Sequence, residues 1–257
     1  MKKDQEQAPE LYTRRLAVHA SDVDAFRHLR MSRLSGILQE LSIAHTERLG
    51  FTRRLTLDKG LLWILTRLRI SVMRPILYDE ELEFCTWPRP ALHMLYPREY
   101  RIFESSGAQI GEAAALWAII DASTRRIALP SETGIYIPGT VRTGQLPLPQ
   151  GLSPAFCQNA AQHTVTYSEI DLNGHVNNTR YLDWIDDLQS EEWHRAGFSG
   201  ELQINYMHEI LPGSVVSVHV LSEEAPTSGS LCQSRTKVTG CLPGDVPAFV
   251  AMISRGH

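Results

Sequence analysis

Two stretches of this sequence occur twice, in the same order and at nearly the same spacing. Asp24 and His28 lie 147 positions before Asp171 and His175, and Ser21 precedes Ser168 by the same interval. Farther along, Leu68-Arg-Ile70-Ser-Val-Met73 lies 134 positions before Leu202-Gln-Ile204-Asn-Tyr-Met207. The two intervals differ by 13 residues, which places an insertion in the first copy, in the loop around 51–60. Chance could supply one such match. Two in one order point to an internal duplication, and so to a chain built from two similar units.

Each copy follows one plan. In the first, Tyr12 to Val18 reads as a strand and Met31 to Leu49 as a helix, because Leu34, Ile37, Leu38 and Leu41 recur at helical spacing. Strand-like runs follow at Leu61 to Val72, Glu80 to Trp87, Tyr96 to Glu104 and Ile110 to Asp121. The second copy has a strand at Gln162 to Tyr167 and a helix from about Asn178 to Ala196, ended by Gly197. Its later strands are expected at Glu201 to His208, Ser214 to Glu223, Ser230 to Thr239 and Val246 to Ser254. The Pro- and Gly-rich stretch 138–151 lacks periodicity and reads as the linker between units 1–137 and 152–257. A strand, a long helix and then an antiparallel sheet that wraps it is the α+β pattern called a hotdog. The expectation is a tandem, or double, hotdog with the two sheets side by side.

Composition removes several classes of function. The formal charge of −4 gives no support for a nucleic-acid binder. The longest apolar run, Ala113 to Ile120, is far below the roughly 18 residues that a membrane span requires. The start, MKKDQEQAPE, has no apolar stretch after its lysines and is no secretory signal. Cys85, Cys157, Cys232 and Cys241 form no CxxC pair, so reduced thiols, no metal site, no cofactor and a cytoplasmic protein are expected. Arginines are bunched at Arg14-Arg15, Arg27-Arg30-Arg33, Arg53-Arg54 and Arg125-Arg126. Each pair reads as solvated surface, or together as a local patch for an acidic partner.

The chemistry concentrates in Asp171-Leu-Asn173-Gly-His175-Val-Asn177-Asn178, between a strand and the second helix. Each residue has a plain structural role open to it: Asp171 in a turn, Asn177 or Asn178 as a helix N-cap, His175 as a buried, bonded imidazole. Three such side chains within five residues at a helix entry are harder to explain by structure alone, because such polarity is costly to bury. The first backbone amides of a helix can also hold a developing oxyanion. Glu209 ends the next strand, before Leu211-Pro212-Gly213, and is either an exposed strand-end carboxylate or part of the site. The duplication supplies an internal comparison. The first copy has Phe26 where the second has Asn173, and Pro75 where it has Glu209. Neither Phe nor Pro can act as acid, base or side-chain donor. One competent copy and one degenerate copy follow.

Asn173-Gly-His175-Val-Asn177-Asn178-Thr-Arg-Tyr181-Leu-Asp-Trp184 resembles the N-x-H-V-N-N-x-x-Y-x-x-W signature of the acyl-acyl carrier protein thioesterases of bacteria and plants. The first copy is similar to the same family through Ala20-Ser-Asp22-Val-Asp24, Trp63-Ile-Leu-Thr-Arg67, Thr86-Trp87-Pro88 and Gly111-Glu112-Ala113. The resemblance implies hydrolysis of acyl-carrier thioesters, with Asp171, Asn173, His175 and Glu209 as the catalytic group. It also implies acyl carrier protein as partner, and an acyl slot in the first unit, for which Leu34, Ile37, Leu38, Leu41, Trp63 and Leu65 are candidates. Plant members carry Cys after the Glu; here Ile210 stands there, so no cysteine acyl-enzyme forms at that position. A coenzyme A thioesterase on the same fold and a non-catalytic acyl sensor are the competing readings. The sequence contains no HFPxxPxxPG-type stretch, which argues against a dehydratase. Monomer and homodimer are both open.

Overall fold

The structure, a computed structural model, describes residues 11–140, 142, 144–224 and 233–256. Its elements in chain order are β1 (Tyr12–Ala17), α1 (Met31–Arg48), α2 (Arg53–Asp58), β2 (Leu61–Val72), β3 (Glu81–Pro88), β4 (Leu95–Glu104), β5 (Gln109–Asp121) and α3 (Pro130–Thr133). The second part comprises β6 (Ala161–Thr164), α4 (Arg180–Asp187), α5 (Glu191–Ala196), β7 (Gly200–Tyr206), β8 (Val215–Glu224), β9 (Gln233–Leu242) and β10 (Val246–Gly256). All ten strands form one antiparallel sheet in the order β1-β3-β4-β5-β2-β7-β10-β9-β8-β6. The second five repeat the order of the first five in mirror sequence, and the two sets meet where β2 pairs with β7.

The repeat extends to single hydrogen bonds. In the first copy the amides of Val18, Asp24, Leu29 and Arg30 donate to the carbonyls of Glu80, His28, Ile76 and Asp22. In the second, Val165, Asp171, Val176 and Asn177 donate to Ser214, His175, Ile210 and Glu169, the equivalent residues in each case. Both copies open with a 3-10 turn, Ala20–Asp22 and Tyr167–Glu169. The insertion inferred from the spacing is real and folds as α2, which the sequence did not announce as a helix.

One helix differs from expectation. The 178–196 segment is not a single helix but two, with the break at 188–190. Ser190 is the reason. Its side chain accepts from the Trp193 amide, and Glu191 and Glu192 occupy the first turn of α5, so a new N-terminus is stabilised there. In the first copy α1 runs unbroken for 18 residues.

Leu34, Leu38 and Leu41 of α1 and Tyr181, Leu182, Trp184 and Ile185 of α4 pack on the inward residues of the strands, such as Tyr100, Ile102, Leu202 and Ile204. The opposite face is crossed by the Pro- and Gly-rich stretch. The Gly144 carbonyl accepts from Arg101, the Leu146 amide donates to Glu99, Gln150 exchanges two hydrogen bonds with Gln203, and the Ala155 amide donates to Thr239. That stretch is therefore a strap laid over strands of both copies. Cys85, Cys157 and Cys241 are free thiols; Cys232 lies outside the described residues. No helix among the described residues is long and apolar enough to cross a membrane.

Two outcomes follow. A Cβ at Gly240 would collide with the Phe249 ring, which is wholly buried. Gly240→Ala should cost about 1–3 kcal/mol in urea unfolding. Asp186 on α4 has its pKa pushed up to about 7, by burial first and by Asp183, Asp187 and Asp24 next, with Arg30 pulling it down. An aspartate so raised keeps its proton in the fold after the unfolded chain has lost it. Stability therefore falls as pH rises from about 4 toward 7. Asp186→Asn should raise the melting temperature at pH 8 but not at pH 4, by at least about 2 °C.

Candidate active site

The Asp171–His175 turn is closed by its own backbone. The Asp171 amide donates to the His175 carbonyl at 2.8 Å, and the Gly174 amide to the Asp171 carbonyl at 3.0 Å. Asp171 Oδ1 accepts from the Asn173 amide at 2.7 Å, which fixes the turn from inside. Gly174 supplies the left-handed residue, φ +84°, that this turn needs; in the first copy Arg27 is forced to φ +68° at the same place. Beneath the turn, Glu169 accepts from the Thr166 amide, from Trp184 Nε1 at 2.5 Å and from His163 Nε2 at 2.9 Å. Burial raises the Glu169 pKa and these hydrogen bonds more than offset it, so the group sits below its ordinary range.

Backbone pairing then brings Glu209 in. The Val176 amide donates to the Ile210 carbonyl at 2.9 Å, which sets His175 and Glu209 side by side on neighbouring segments. His175 Nε2 lies 3.1 Å from Glu209 Oε2; the His175 side chain is 13% exposed and that of Glu209 40%. Of the four residues named from the sequence, His175 and Glu209 are in contact, and Asp171 and Asn173 share the turn with His175; Asn173 and Glu209 are both exposed. Among the described residues no cluster of three or more His, Cys, Asp or Glu is arranged to hold a metal ion.

Two arginines join the group that sequence reasoning read only as surface charge. Arg125, in the turn after β5, donates from Nη1 to Glu209 Oε1 at 3.2 Å, and its Nη2 lies 3.3 Å from His175 Nε2. Arg53, on α2, donates to Asn173 Oδ1 at 3.3 Å. A guanidinium has only donors, so the amide oxygen of Asn173 faces Arg53 and its NH2 is the end left for another acceptor. Both arginines come from the first copy; pairing across the two copies could not be read from charge clustering.

Asn177 and Asn178 do not begin the helix. It starts at Arg180, and Asn177 Oδ1 accepts from the Thr179 amide and hydroxyl, while the Arg180 amide donates to the Asn177 carbonyl. Those two amides are consumed and unavailable to an oxyanion. Asn177 and Asn178 instead line a cavity of about 230 Å³ together with Asp171 and Asn173.

That cavity lies over the first copy, but its walls differ from those expected. Of the six apolar candidates only Trp63 borders it. Leu34, Leu38, Leu41 and Leu65 are sealed in the core, and Ile37 packs against that core from another side. The wall is formed by Ile43 and Thr46 of α1, Leu57 of α2, Trp63, Tyr96 and Trp117. Arg98 also borders it, fully buried, bonded to His45 Nδ1, Thr86 and Thr46. Burial holds its pKa down to about 10. The sequence reading missed Arg98; it shares a face of β4 with Tyr96, Tyr100 and Ile102, and that period-two spacing is the signal that could have found it.

The corresponding place in the other half is filled. α5 folds over the Asp24–His28 turn: His28 Nδ1 meets the His194 carbonyl at 3.1 Å, Arg195 covers the Phe26 ring, and Gly197 abuts Pro75. The helix break at Ser190 is what brings α5 there.

Residues 9–132 match the acyl-ACP thioesterase N-terminal domain family and residues 155–247 the corresponding C-terminal domain family. A chloroplastic acyl-[acyl-carrier-protein] hydrolase of Cuphea viscosissima is 25% identical over 66% of this chain and 44% of its own length. Oleoyl-acyl carrier protein thioesterase 2 of Arabidopsis thaliana is 20% identical over 87% of the chain and 68% of its own length. The chain spans less than half the length of the Cuphea protein and of a palmitoyl-acyl carrier protein thioesterase of Gossypium hirsutum. In fold it is similar to an acyl-ACP thioesterase of Bacteroides thetaiotaomicron, with TM-score 0.81, 23% identity and coverage of 96% and 98% of the two chains. It is equally similar to the 12:0-ACP thioesterase of Umbellularia californica, with TM-score 0.81 and 17% identity over 97% and 95%. With both halves matched in order over most of its length, the chain belongs to the acyl-ACP thioesterase family.

Proposed function

We propose that this protein hydrolyses acyl-acyl carrier protein thioesters, releasing the free acid and the carrier thiol. The observation that carries the reading is the His175–Glu209 pair, which is not itself in the cavity wall but is joined through the Asp171–His175 turn to Asp171 and Asn173, which border a largely apolar cavity. Membership of the family and the names of the relatives support the carrier protein as partner, and the exposed arginines near the site suit an acidic one. The mirrored strand order and the repeated hydrogen bonds support two hotdog units, 1–137 and 152–257, joined by 138–151.

In this reading Glu209 accepts a proton from water as the water oxygen bonds to the thioester carbon. The negative charge on the carbonyl oxygen is met by the Asn173 NH2 group, which Arg53 orients. The carbon–sulfur bond then breaks. The thiolate, whose parent thiol has a pKa of roughly 8.5, leaves with little assistance and takes back the proton through His175. Asp171 holds the turn, its Oδ1 accepting from the Asn173 amide, and Glu209, in contact with His175, is the carboxylate favoured as the base. The acyl chain occupies the cavity between α1, α2 and β2.

Glu209→Ala should lower kcat by about 10²–10⁴-fold, and Asp171→Ala should lower it through loss of the turn. Wild-type turnover in both variants would refute the assignment. Matched kinetics on carrier-protein and coenzyme A thioesters of one acyl chain decide the carrier: kcat/KM should favour the carrier protein. Acyl binding without turnover on any thioester would favour a sensor. Thr56→Phe, which adds a ring at the cavity wall, should shift the preferred acyl chain shorter in a chain-length series.

A further inference from the structure

The turn after β5 is built with unusual care for a surface loop. Asp121 Oδ1 accepts from the Ser123 amide and hydroxyl and from the Thr124 amide and hydroxyl, at 2.6–3.0 Å. Those bonds hold its carboxyl down to about 2. The Arg125 amide donates to the Asp121 carbonyl, and the Arg126 carbonyl accepts from the Asp121 amide. Between them Arg125 takes φ +58°, a left-handed conformation that favours glycine. A bulky residue is kept in that conformation only where surrounding contacts determine it, and such positions concentrate at functional sites. Here the result is a guanidinium delivered to Glu209, 84 residues away in sequence and in the other half of the molecule.

We propose that Arg125 is a positioning residue that acts through Glu209, so that the base of the second unit is set by a rigid loop of the first. Arg125 cannot exchange protons at working pH and so is neither acid nor base. Its Nη1 donates to Oε1 of Glu209 while His175 Nε2 faces Oε2 at 3.1 Å. With Nε2–H donating to Oε2, the carboxylate is held at both oxygens and its rotation about the side chain is arrested. The Nη2 group, 3.3 Å from Nε2, then finds no lone pair at that nitrogen to donate to, so the guanidinium is committed to the carboxylate. Side chains 40% and 43% exposed would otherwise sample many rotamers, and that freedom is what the pair removes. This inference rests on Glu209 being the base.

The test is steady-state kinetics of Arg125→Ala and Arg125→Lys beside Glu209→Ala, on one acyl thioester. Arg125→Ala should lower kcat about 10–100-fold, the scale of a displaced catalytic group, with KM changed less than about twofold and the melting temperature unchanged. Arg125→Lys should recover part of kcat. Guanidinium ion at a non-denaturing concentration should restore part of kcat to Arg125→Ala, whereas potassium chloride at equal ionic strength should not. Unchanged kcat in Arg125→Ala with loss in Glu209→Ala overturns the inference and leaves the base in place. A loss confined to KM overturns it too, and makes Arg125 a substrate anchor. Wild-type turnover in Glu209→Ala removes the base itself, and with it any role of Arg125 exerted through that residue.

Discussion

The pairing of β2 with β7 sets the geometry on which everything else depends. Leu68 stands opposite Ile204 and Ile70 opposite Leu202, while Leu68 and Leu202, and Ile70 and Ile204, are the repeated residues of the two copies. The pair therefore has a local two-fold at Arg69 and Gln203. Because side chains alternate along a strand, a slip of one residue here would turn every inward side chain of one copy outward. With the register fixed, each copy's polar turn faces the helices of the other. The Asp171–His175 turn looks onto α1 and α2, and the Asp24–His28 turn onto α5. The second copy supplies the His175–Glu209 pair, and the first supplies Arg53, Arg125 and most of the cavity wall.

From that near-symmetric frame the two faces diverge by small local chemistry. In the first copy an unbroken α1 and the inserted α2 leave room beside the Asp171 turn, and the room is the cavity. In the second, the Ser190 cap breaks the helix and α5 closes the equivalent space over Phe26 and His28. The substitutions of Asn by Phe and Glu by Pro fit this closure, since an apolar ring and a prolyl ring meet the covering helix without an unsatisfied polar group. On that side Phe26 and Pro75 go together with a covering helix.

How far the sequence revealed this depended on the range of the interaction involved. Strands such as β2 were legible to their ends, because alternation and turn residues are local. The duplication was legible because it is a comparison of the chain with itself. The proposed group of Asp171, Asn173, His175 and Glu209 was named from the sequence as a list, since the first copy shows which positions can lose their polarity without losing the turn. The break at Ser190 carried a readable signal, a capping Ser before two glutamates, but it was outweighed by continuous helical periodicity. The cavity walls were not legible: helical spacing names Leu34, Leu38 and Leu41 as apolar without saying that they face the sheet. Nor were Arg53 and Arg125, whose partners lie 120 and 84 residues away.

The central strand pair also has a consequence in time. β2 is synthesised well over a hundred residues before β7, and at ribosomal rates of about 5–20 residues per second its β7-facing edge has no partner for on the order of ten seconds. An unpaired edge strand of 12 residues is an invitation to pair with another chain. The strap is the first segment made after the first copy, and it is held by Glu99 and Arg101 of β4 before it reaches Gln203. In the finished fold it lies across strands of both copies, so the segment that leads into the second copy is tied to the same sheet whose β2 edge β7 covers.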